Sequence, residues 1–309
     1  MATILITGSN GQLGSELKLV SKNYYGYDFI FTDLDTLDIT DNQTTMDFIQ
    51  KVNPDWILNC AAYNQVDKAE SDIQTAMLIN GTAVNNISES IKGSECRFIH
   101  FSTDYVFSGK SFIPYNEYSE PDPESVYGRS KLAGEKAALS HHAAMIIRTS
   151  WLYSSFGSNF VKTILKKAKE RESLNVVFDQ AGTPTYAADL AEAILAIIAG
   201  VIRNQVAFIP GIYHYSNEGV CSWYDFAEAI VSESGLSCRV VPILSVQYPT
   251  AARRPAYSVL DKSKIKENYG LNIPHWRTSL TKCIKIIEQQ QKNDLSPTLP
   301  RGGGGKNCK

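Results

Sequence analysis

Near the start of the sequence an apolar, β-rich run from Thr3 to Thr7 meets Gly8-Ser9-Asn10-Gly11-Gln12-Leu13-Gly14 and then Ser-Glu-Leu-Lys-Leu-Val. This order reads as strand, glycine turn and amphipathic helix. Glycine allows a tight turn and a close approach of backbone to a ligand, and the first N–H groups of the helix have no intrahelical partner. Those donors, at the positive end of the helix dipole, suit the pyrophosphate of a dinucleotide. The spacing is G-x-x-G-x-x-G rather than G-x-G-x-x-G, so the dinucleotide logic is kept in an altered register.

A second apolar run, Asp28 to Thr32, ends at Asp33, 19 residues beyond Gly14. An acidic residue at about that separation meets the ribose hydroxyls in NAD-binding folds. Together with the lack of Arg or Lys in the loop, Asp33 leans the cofactor towards NADH. It is equally suited to forming a turn beside Asp35 and Asp38.

The alternation then continues. A helix from Asp41 to Val52 stops at Pro54, and Trp56 to Asn59 is the next strand. The small-residue loop Cys60-Ala-Ala-Tyr63-Asn64 leads to a helix starting near Asp67 and carrying Asn80, then a strand from Arg97 to Ser102, the helix of Tyr127 and a strand from Ala144 to Thr149. Repeated β-α-β units predict an α/β fold: a Rossmann-type doubly wound parallel sheet, here with a smaller C-terminal substrate-binding lobe. Residues 1–170 are assigned to the dinucleotide-binding domain, with 207–235 rejoining it through a strand from Ile212 to Ser216. Residues 171–206 and 236–292 are assigned to the substrate lobe, and the Pro- and Gly-rich tail, 293–309, is expected to be disordered.

The side chains able to do chemistry lie between Phe98 and Lys131. Tyr127 and Lys131 are four residues apart, which on a helix puts a phenol and an ammonium on one face. A free tyrosine titrates near pKa ~10, and a neighbouring cation is expected to lower that value and make the pair a proton relay. Thr103 stands where an apolar strand gives way to hydroxyls, at the end of the sheet where open α/β folds bind ligands.

Composition narrows the partners. The 309 residues carry a formal charge of −2, which offers no basic field for nucleic acid. No run reaches membrane-spanning length and no basic, apolar leader is present, so neither a membrane nor secretion is expected. Cys60, Cys96, Cys221, Cys238, Cys283 and Cys308 are scattered without a C-x-x-C, the usage of reduced thiols in a cytoplasmic protein and not of a zinc site.

Thr-Gly-x-x-Gly-x-x-Gly, Ser102-Thr-Asp-Tyr-Val-Phe and Tyr127-x-x-x-Lys131 together resemble the extended short-chain dehydrogenase/reductases. With Asn59-Cys-Ala-Ala-Tyr63, Val66 to Glu70, Arg148-Thr-Ser-Trp151, Gly182-Thr-Pro-Thr185 and Tyr248 to Pro255, the chain is similar to the dTDP-4-dehydrorhamnose reductase family over nearly its whole length. The resemblance implies reduction of the C4 ketone of a dTDP-sugar, dTDP-4-dehydro-β-L-rhamnose, by NADPH or NADH, for cell-surface polysaccharide.

By the same resemblance Tyr127 is the acid, Thr103 a donor to the ketone oxygen with Ser102 as a competitor, and Lys131 the residue that depresses the phenol and holds the nicotinamide ribose. Gly8, Gly11, Gln12, Leu13, Gly14, Asp38, Ile39, Ala62, Tyr63 and Asn64 are cofactor positions. Asp104 and Trp151 are sugar contacts, Trp151 reading equally as a core aromatic. Arg253 and Arg254 suit the diphosphate, one of them being expected to face solvent or an intramolecular carboxylate. Relatives form homodimers through carboxylates and Mg2+. Glu16 occupies one such position and Asp189 stands where the family pattern has Glu, a departure that favours reading Glu16 as an exposed helix glutamate over a metal ligand. Two other readings share these residues: an epimerase or dehydratase of nucleotide sugars, and a non-catalytic regulatory subunit resembling that of methionine adenosyltransferase.

Overall fold

Ile4, Leu5 and Ile6 are all buried, which a strand achieves only when both faces of its sheet are covered. The computed structural model describes residues 1–295 and places this run in β1 (Ala2–Thr7). There follow β2 (Tyr27–Phe31), β3 (Trp56–Asn59), β4 (Arg97–Thr103) and β5 (Ala144–Thr149). Shorter or peripheral strands are β6 (Leu152–Tyr153), β7 (Ser173–Val177), β8 (Ala181–Gly182), β9 (Thr185–Tyr186), β10 (Gly211–His214), β11 (Cys221–Ser222) and β12 (Arg239–Ile243). The main sheet is parallel in the order β10-β5-β4-β3-β1-β2. It is the doubly wound sheet expected, and β10 does rejoin it beside β5. Between β1 and β3 the order reverses, which opens a crevice at the strands' carboxyl ends.

The helices are α1 (Gln12–Val20), α2 (Asn42–Val52), α3 (Val66–Ala69), α4 (Ile73–Met77), α5 (Ala83–Ser90), α6 (Val126–Ala138), α7 (Phe160–Glu170), α8 (Ala187–Ile202), α9 (Trp223–Glu233), α10 (Ser263–Tyr269) and α11 (Trp276–Leu295). Side-chain caps set several starts: Asp41 accepts from the Thr44 N–H at 2.7 Å, Ser125 from Gly128 at 3.0 Å and Asn159 from Lys162 at 3.1 Å. The single helix expected from near Asp67 is instead three pieces. A π turn, Leu78–Thr82, joins α4 to α5 and holds the buried Asn80. Among the described residues no helix is long and apolar enough to cross a membrane.

The sheet is covered on one side by α1 and α8, where Ile194, Ile197 and Ile198 share a cluster with Ile4, Ile6 and Leu58. On the other side Ile49, Val84 and Ile87 of α2 and α5 meet Leu5, Ile57 and Phe98. A separate core gathers Ile164 of α7, Phe226 and Ile230 of α9, Leu280 and Ile284 of α11, Leu174 of β7 and Val240 of β12. The lobes are therefore more interleaved than the sequence division. Helix α8 falls in the segment given to the substrate lobe but packs on the main sheet, whereas α7 and α9, given to the dinucleotide domain, build the smaller core. Periodicity shows which face of a helix is buried and not which partner buries it. Residues 293–295 of the expected tail continue α11, and the rest of that tail lies outside the described residues.

One buried ion pair fixes α6 to the sheet. Arg148 on β5 and Glu135 on α6 have side-chain exposures of 1% and 2%. Arg148 Nε and Nη2 donate to the two carboxylate oxygens at 2.9 and 2.7 Å, and the Ser102 hydroxyl of β4 adds a bond of 2.5 Å. Removing one partner of such a pair strands the other charge in a dry core. Glu135→Ala is therefore expected to lower the unfolding free energy by about 3–5 kcal/mol, read from urea denaturation. A loss below about 1 kcal/mol, the range of exposed pairs, would show that α6 is held by other contacts.

Candidate active site

The crevice between β1 and β3 is a cavity of about 250 Å³. Its wall takes in Gly8, Gly11, Asp33, Asp38, Ile39, Ala62 and Asn64, as the sequence reading expects, and adds Thr7, Thr40, Cys60 and Ile79. Gly8 has φ +64°, and a Cβ there would lie 2.4 Å from the Ala61 nitrogen, so no other residue fits. Gly11 caps α1 without a side-chain hydrogen bond, which leaves the helix N-terminus open to an anion. These features fit the pyrophosphate of a dinucleotide.

Six expected cofactor residues are not part of that wall: Gln12, Leu13, Gly14, Tyr63, Tyr127 and Lys131. Gln12 accepts from Asn159 Nδ2 at 2.9 Å, and Leu13 is buried in the core. Gly14 sits under the loop, against Gly8 and Ser9. Tyr63 donates to Asp72 at 3.1 Å, while its backbone N–H and C=O are clasped by the Asn80 amide at 2.8 and 3.0 Å. Asp33 does form a turn, accepting from the Leu34 N–H, and it also braces the glycine loop by accepting from the Asn10 N–H, both at 2.8 Å. Asp38 accepts from the N–H and hydroxyl of Thr40 at 2.9 and 2.7 Å.

Helix α6 starts at the Ser125 cap and buries Tyr127 and Lys131 on one face. A Cβ at Gly128 would lie 2.2 Å from the Tyr105 carbonyl oxygen, so the first turn of α6 rests directly on the segment after Thr103. Strand alternation separates the two hydroxyls at the end of β4. Ser102 points to Glu135, while the Thr103 hydroxyl donates to Asp104 Oδ1 at 2.9 Å and accepts from the Tyr105 N–H at 3.2 Å. The Tyr127 hydroxyl makes a long 3.5 Å contact with Asn64 Oδ1, at the edge of the crevice.

The electrostatics correct one expectation. Burial pushes the Tyr127 phenol up and the Asp104 charge adds to the rise, with the Thr103 hydroxyl opposing. The Lys131 ammonium instead donates to the Phe101 carbonyl at 2.6 Å, and burial brings it down to about 8 against the pull of Glu135. Desolvation of both groups outweighs their proximity along the helix. Burial also pushes the Asp104 carboxyl up to about 6, with its Oδ2 left without a partner.

A second cavity, about 440 Å³, is lined by Lys110, Gln180, Tyr248, Arg253 and Arg254 among others. Both arginines face carboxylates where the sequence reading allowed for one: Arg254 makes a bidentate pair with Asp67 at 3.0 and 2.7 Å, and Arg253 Nε lies 2.6 Å from Glu124. Trp151 is half-buried at a left-handed φ of +47° and stacks on Trp223 with ring centroids 3.5 Å apart.

Glu16 is neither an exposed helix residue nor part of a metal cluster. It is buried, its carboxylate accepts from Ser154 at 2.6 Å, and burial raises its pKa. Asp189 is engaged by Asn217 and Ser279, and among the described residues no group of three or more His, Cys, Asp or Glu is placed to hold a metal. The expected Mg2+ site is therefore not supported. Lys110, Glu124, Glu135 and Trp223 were missed by sequence reasoning, and Asn80 was placed on a helix without a role. Their partners are distant in the chain and nothing in their immediate neighbours singles them out.

A family model described as the RmlD substrate binding domain matches residues 1–289. The spore coat polysaccharide biosynthesis protein SpsK of Bacillus subtilis (strain 168) is 40% identical over 286 residues, 92% of this chain and 98% of that one. The dTDP-4-dehydrorhamnose reductase of Burkholderia thailandensis is 38% identical over 298 residues, 93% of this chain and 99% of the relative. The crystal structure of the Bacillus anthracis dTDP-4-dehydrorhamnose reductase in complex with NADP superposes with a TM-score of 0.87 at 38% identity, over 93% of this chain and 100% of that one. With the dinucleotide crevice, the Tyr127–Lys131 face and this likeness along almost its full length, the chain belongs to the RmlD family of dTDP-4-dehydrorhamnose reductases.

Proposed function

We propose that this protein reduces the C4 ketone of dTDP-4-dehydro-β-L-rhamnose to give dTDP-β-L-rhamnose. The observation that carries this reading is the position of Tyr127, which touches Asn64 at the wall of the crevice on one side and the Tyr105 ring, centroids 5.5 Å apart, on the other. Tyr105 in turn neighbours Arg254 of the second cavity. The phenol thus stands between a dinucleotide site and a cationic one.

A bound reduced nicotinamide supplies the hydride for C4. As hydride arrives, negative charge grows on the ketone oxygen, and donors aimed at that oxygen lower the barrier. Tyr127 is held protonated by burial, the form that an acid needs in the reducing direction, and gives its proton to the oxygen. Thr103 turns its hydroxyl from Asp104 to the same oxygen, while the unpartnered Oδ2 of Asp104 accepts from a sugar hydroxyl. Lys131 holds the nicotinamide ribose and faces the phenolate once the proton has gone. Trp151, pinned by Trp223, packs against the sugar, and the smaller lobe carries the nucleotide. Asp33 and Asp38 line the crevice and no Arg or Lys does, which favours a free ribose over a 2′-phosphate. NADH therefore serves at least as well as NADPH.

The test is oxidation of each cofactor with the 4-ketosugar made in situ and the product identified by mass. Stoichiometric formation of dTDP-rhamnose is expected; folded protein that binds dinucleotide and oxidises none would overturn the reading. Tyr127→Phe should cost about 10²–10⁴-fold in kcat and leave cofactor affinity intact, and near-normal turnover would remove Tyr127 as the acid.

Lys131 gives a pH test. Its folded pKa of about 8 lies below the free value, so the unfolded chain binds the extra proton in the interval above 8. Stability relative to Lys131→Met should rise as pH increases from about 8 towards ~10, and be lost again as pH falls through about 8. Parallel stability curves for the two proteins would show that the ammonium is not desolvated.

A further inference from the structure

We propose that the segment Gly182 to Thr185 and the ring of Trp223 form a clamp that holds Trp151 in its left-handed backbone conformation and fixes its indole beside the Thr103–Asp104 end of β4. Gly182 and Trp223 are then positioning residues for the reduction, acting through Trp151. The proposal rests on the reductase reading above and gives the Gly182-Thr-Pro-Thr185 motif a task within it.

A bulky residue at φ +47° is in a costly conformation that persists only where its surroundings over-determine it. One segment supplies that constraint to three successive residues. The Thr149 and Thr185 hydroxyls are 3.1 Å apart, the Ser150 hydroxyl donates to the Thr183 carbonyl at 2.7 Å, and the Trp151 carbonyl accepts from the Thr185 N–H at 3.2 Å. Thr183 and Thr185 are fully buried, so water does not compete for these bonds.

The indole is held as firmly as its backbone. One face stacks on Trp223 with 7° between the planes, and Phe160 backs Trp223 with ring centroids 4.6 Å apart. The six-membered edge of Trp151 lies against Gly182, where a Cβ would come within 2.6 Å of Cε2 and 2.7 Å of Ser258 Oγ. The Ser258 hydroxyl in turn neighbours the Asp104 carboxyl. Gly182 is therefore the slot in which the indole, Ser258 and the catalytic end of β4 converge. The clamp is also one unit: β8 and β11 pair Gly182 with Cys221 and Ala181 with Ser222, and Ser222 caps α9 immediately before Trp223. The Ala181 N–H and C=O bond Ala256 and Ser258, both at 2.8 Å.

The test is a double-mutant cycle between Trp223 and Trp151 in the full chain, read by steady-state kinetics with the 4-ketosugar and by the circular-dichroism exciton signal of the stacked indoles. Trp223→Ala should lower kcat/KM for the nucleotide sugar roughly tenfold or more, with the KM for dinucleotide holding. Trp223→Phe keeps a stacking face and should recover most of that loss, and Gly182→Ala should share it because the pinned ring cannot retreat. In a Trp151→Ala background the further change Trp223→Ala should cost less than about twofold. Trp223→Leu, which refills the space beside Phe160 without a flat face, takes the place of Trp223→Ala should that variant not fold. An equal loss in both backgrounds, or no loss in the wild-type background, would overturn the proposal. Wild-type protein that binds dinucleotide but leaves the 4-ketosugar unreduced would overturn the reductase reading instead. The clamp is then judged by the exciton signal, which should be present in wild type and lost in Trp223→Phe; its absence from wild type or its persistence in that variant would overturn the clamp.

Discussion

The contact on which the rest of the site depends is the buried pair of Glu135 and Arg148. It is made where water cannot compensate a lost partner, and it uses both carboxylate oxygens, a bidentate guanidinium and the Ser102 hydroxyl. In one stroke it ties α6 to β4 and β5. Those are the elements that carry Tyr127 and Lys131 on one side and Thr103 on the other. A helix that slid or turned by a fraction of a residue would part these groups, and a misplacement of about 1 Å is enough to be felt in catalysis. The pair is best understood as a positioning device whose energetic cost is met by the surrounding core.

Close backbone approaches complete that positioning. Gly128 lets α6 rest against the Tyr105 carbonyl, and Gly8 lets the first loop fold against Ala61. Asn80, carried by the π turn, joins the Tyr63 backbone to Ser130 of α6 at 2.9 Å. The dinucleotide loops and the helix of the acid are therefore one connected frame. The rim of the second cavity is built differently, from the ion pairs of Arg253 with Glu124 and of Arg254 with Asp67.

Much of this was legible in the residues. The strands Trp56–Asn59 and Ala144–Thr149 were read with their observed limits, because each is a sharply bounded apolar run. The Tyr127–Lys131 face followed from helical spacing alone. Helix α11 was missed although Leu280, Cys283, Ile284 and Ile287 follow the three-and-four repeat of a buried face. The interleaving of the lobes was not legible, since a local pattern carries no information about a distant partner. The direction of the Tyr127 shift was not legible for a related reason: spacing reveals that a cation is near, but only burial in the folded chain decides whether desolvation outweighs it. Likewise the carboxylates that hold Arg253 and Arg254 come from α3 and from the segment before α6, far away in sequence.

The account stands or falls on hydride delivery to the sugar at C4 beside Tyr127. The most direct measurement is turnover with reduced nicotinamide carrying deuterium at both C4 positions, with the label located in the product by NMR. The account predicts deuterium bound to C4 of the newly formed rhamnosyl ring, with the hydroxyl proton drawn from solvent. Deuterium retained entirely on the cofactor, or placed on another carbon of the sugar, would contradict it.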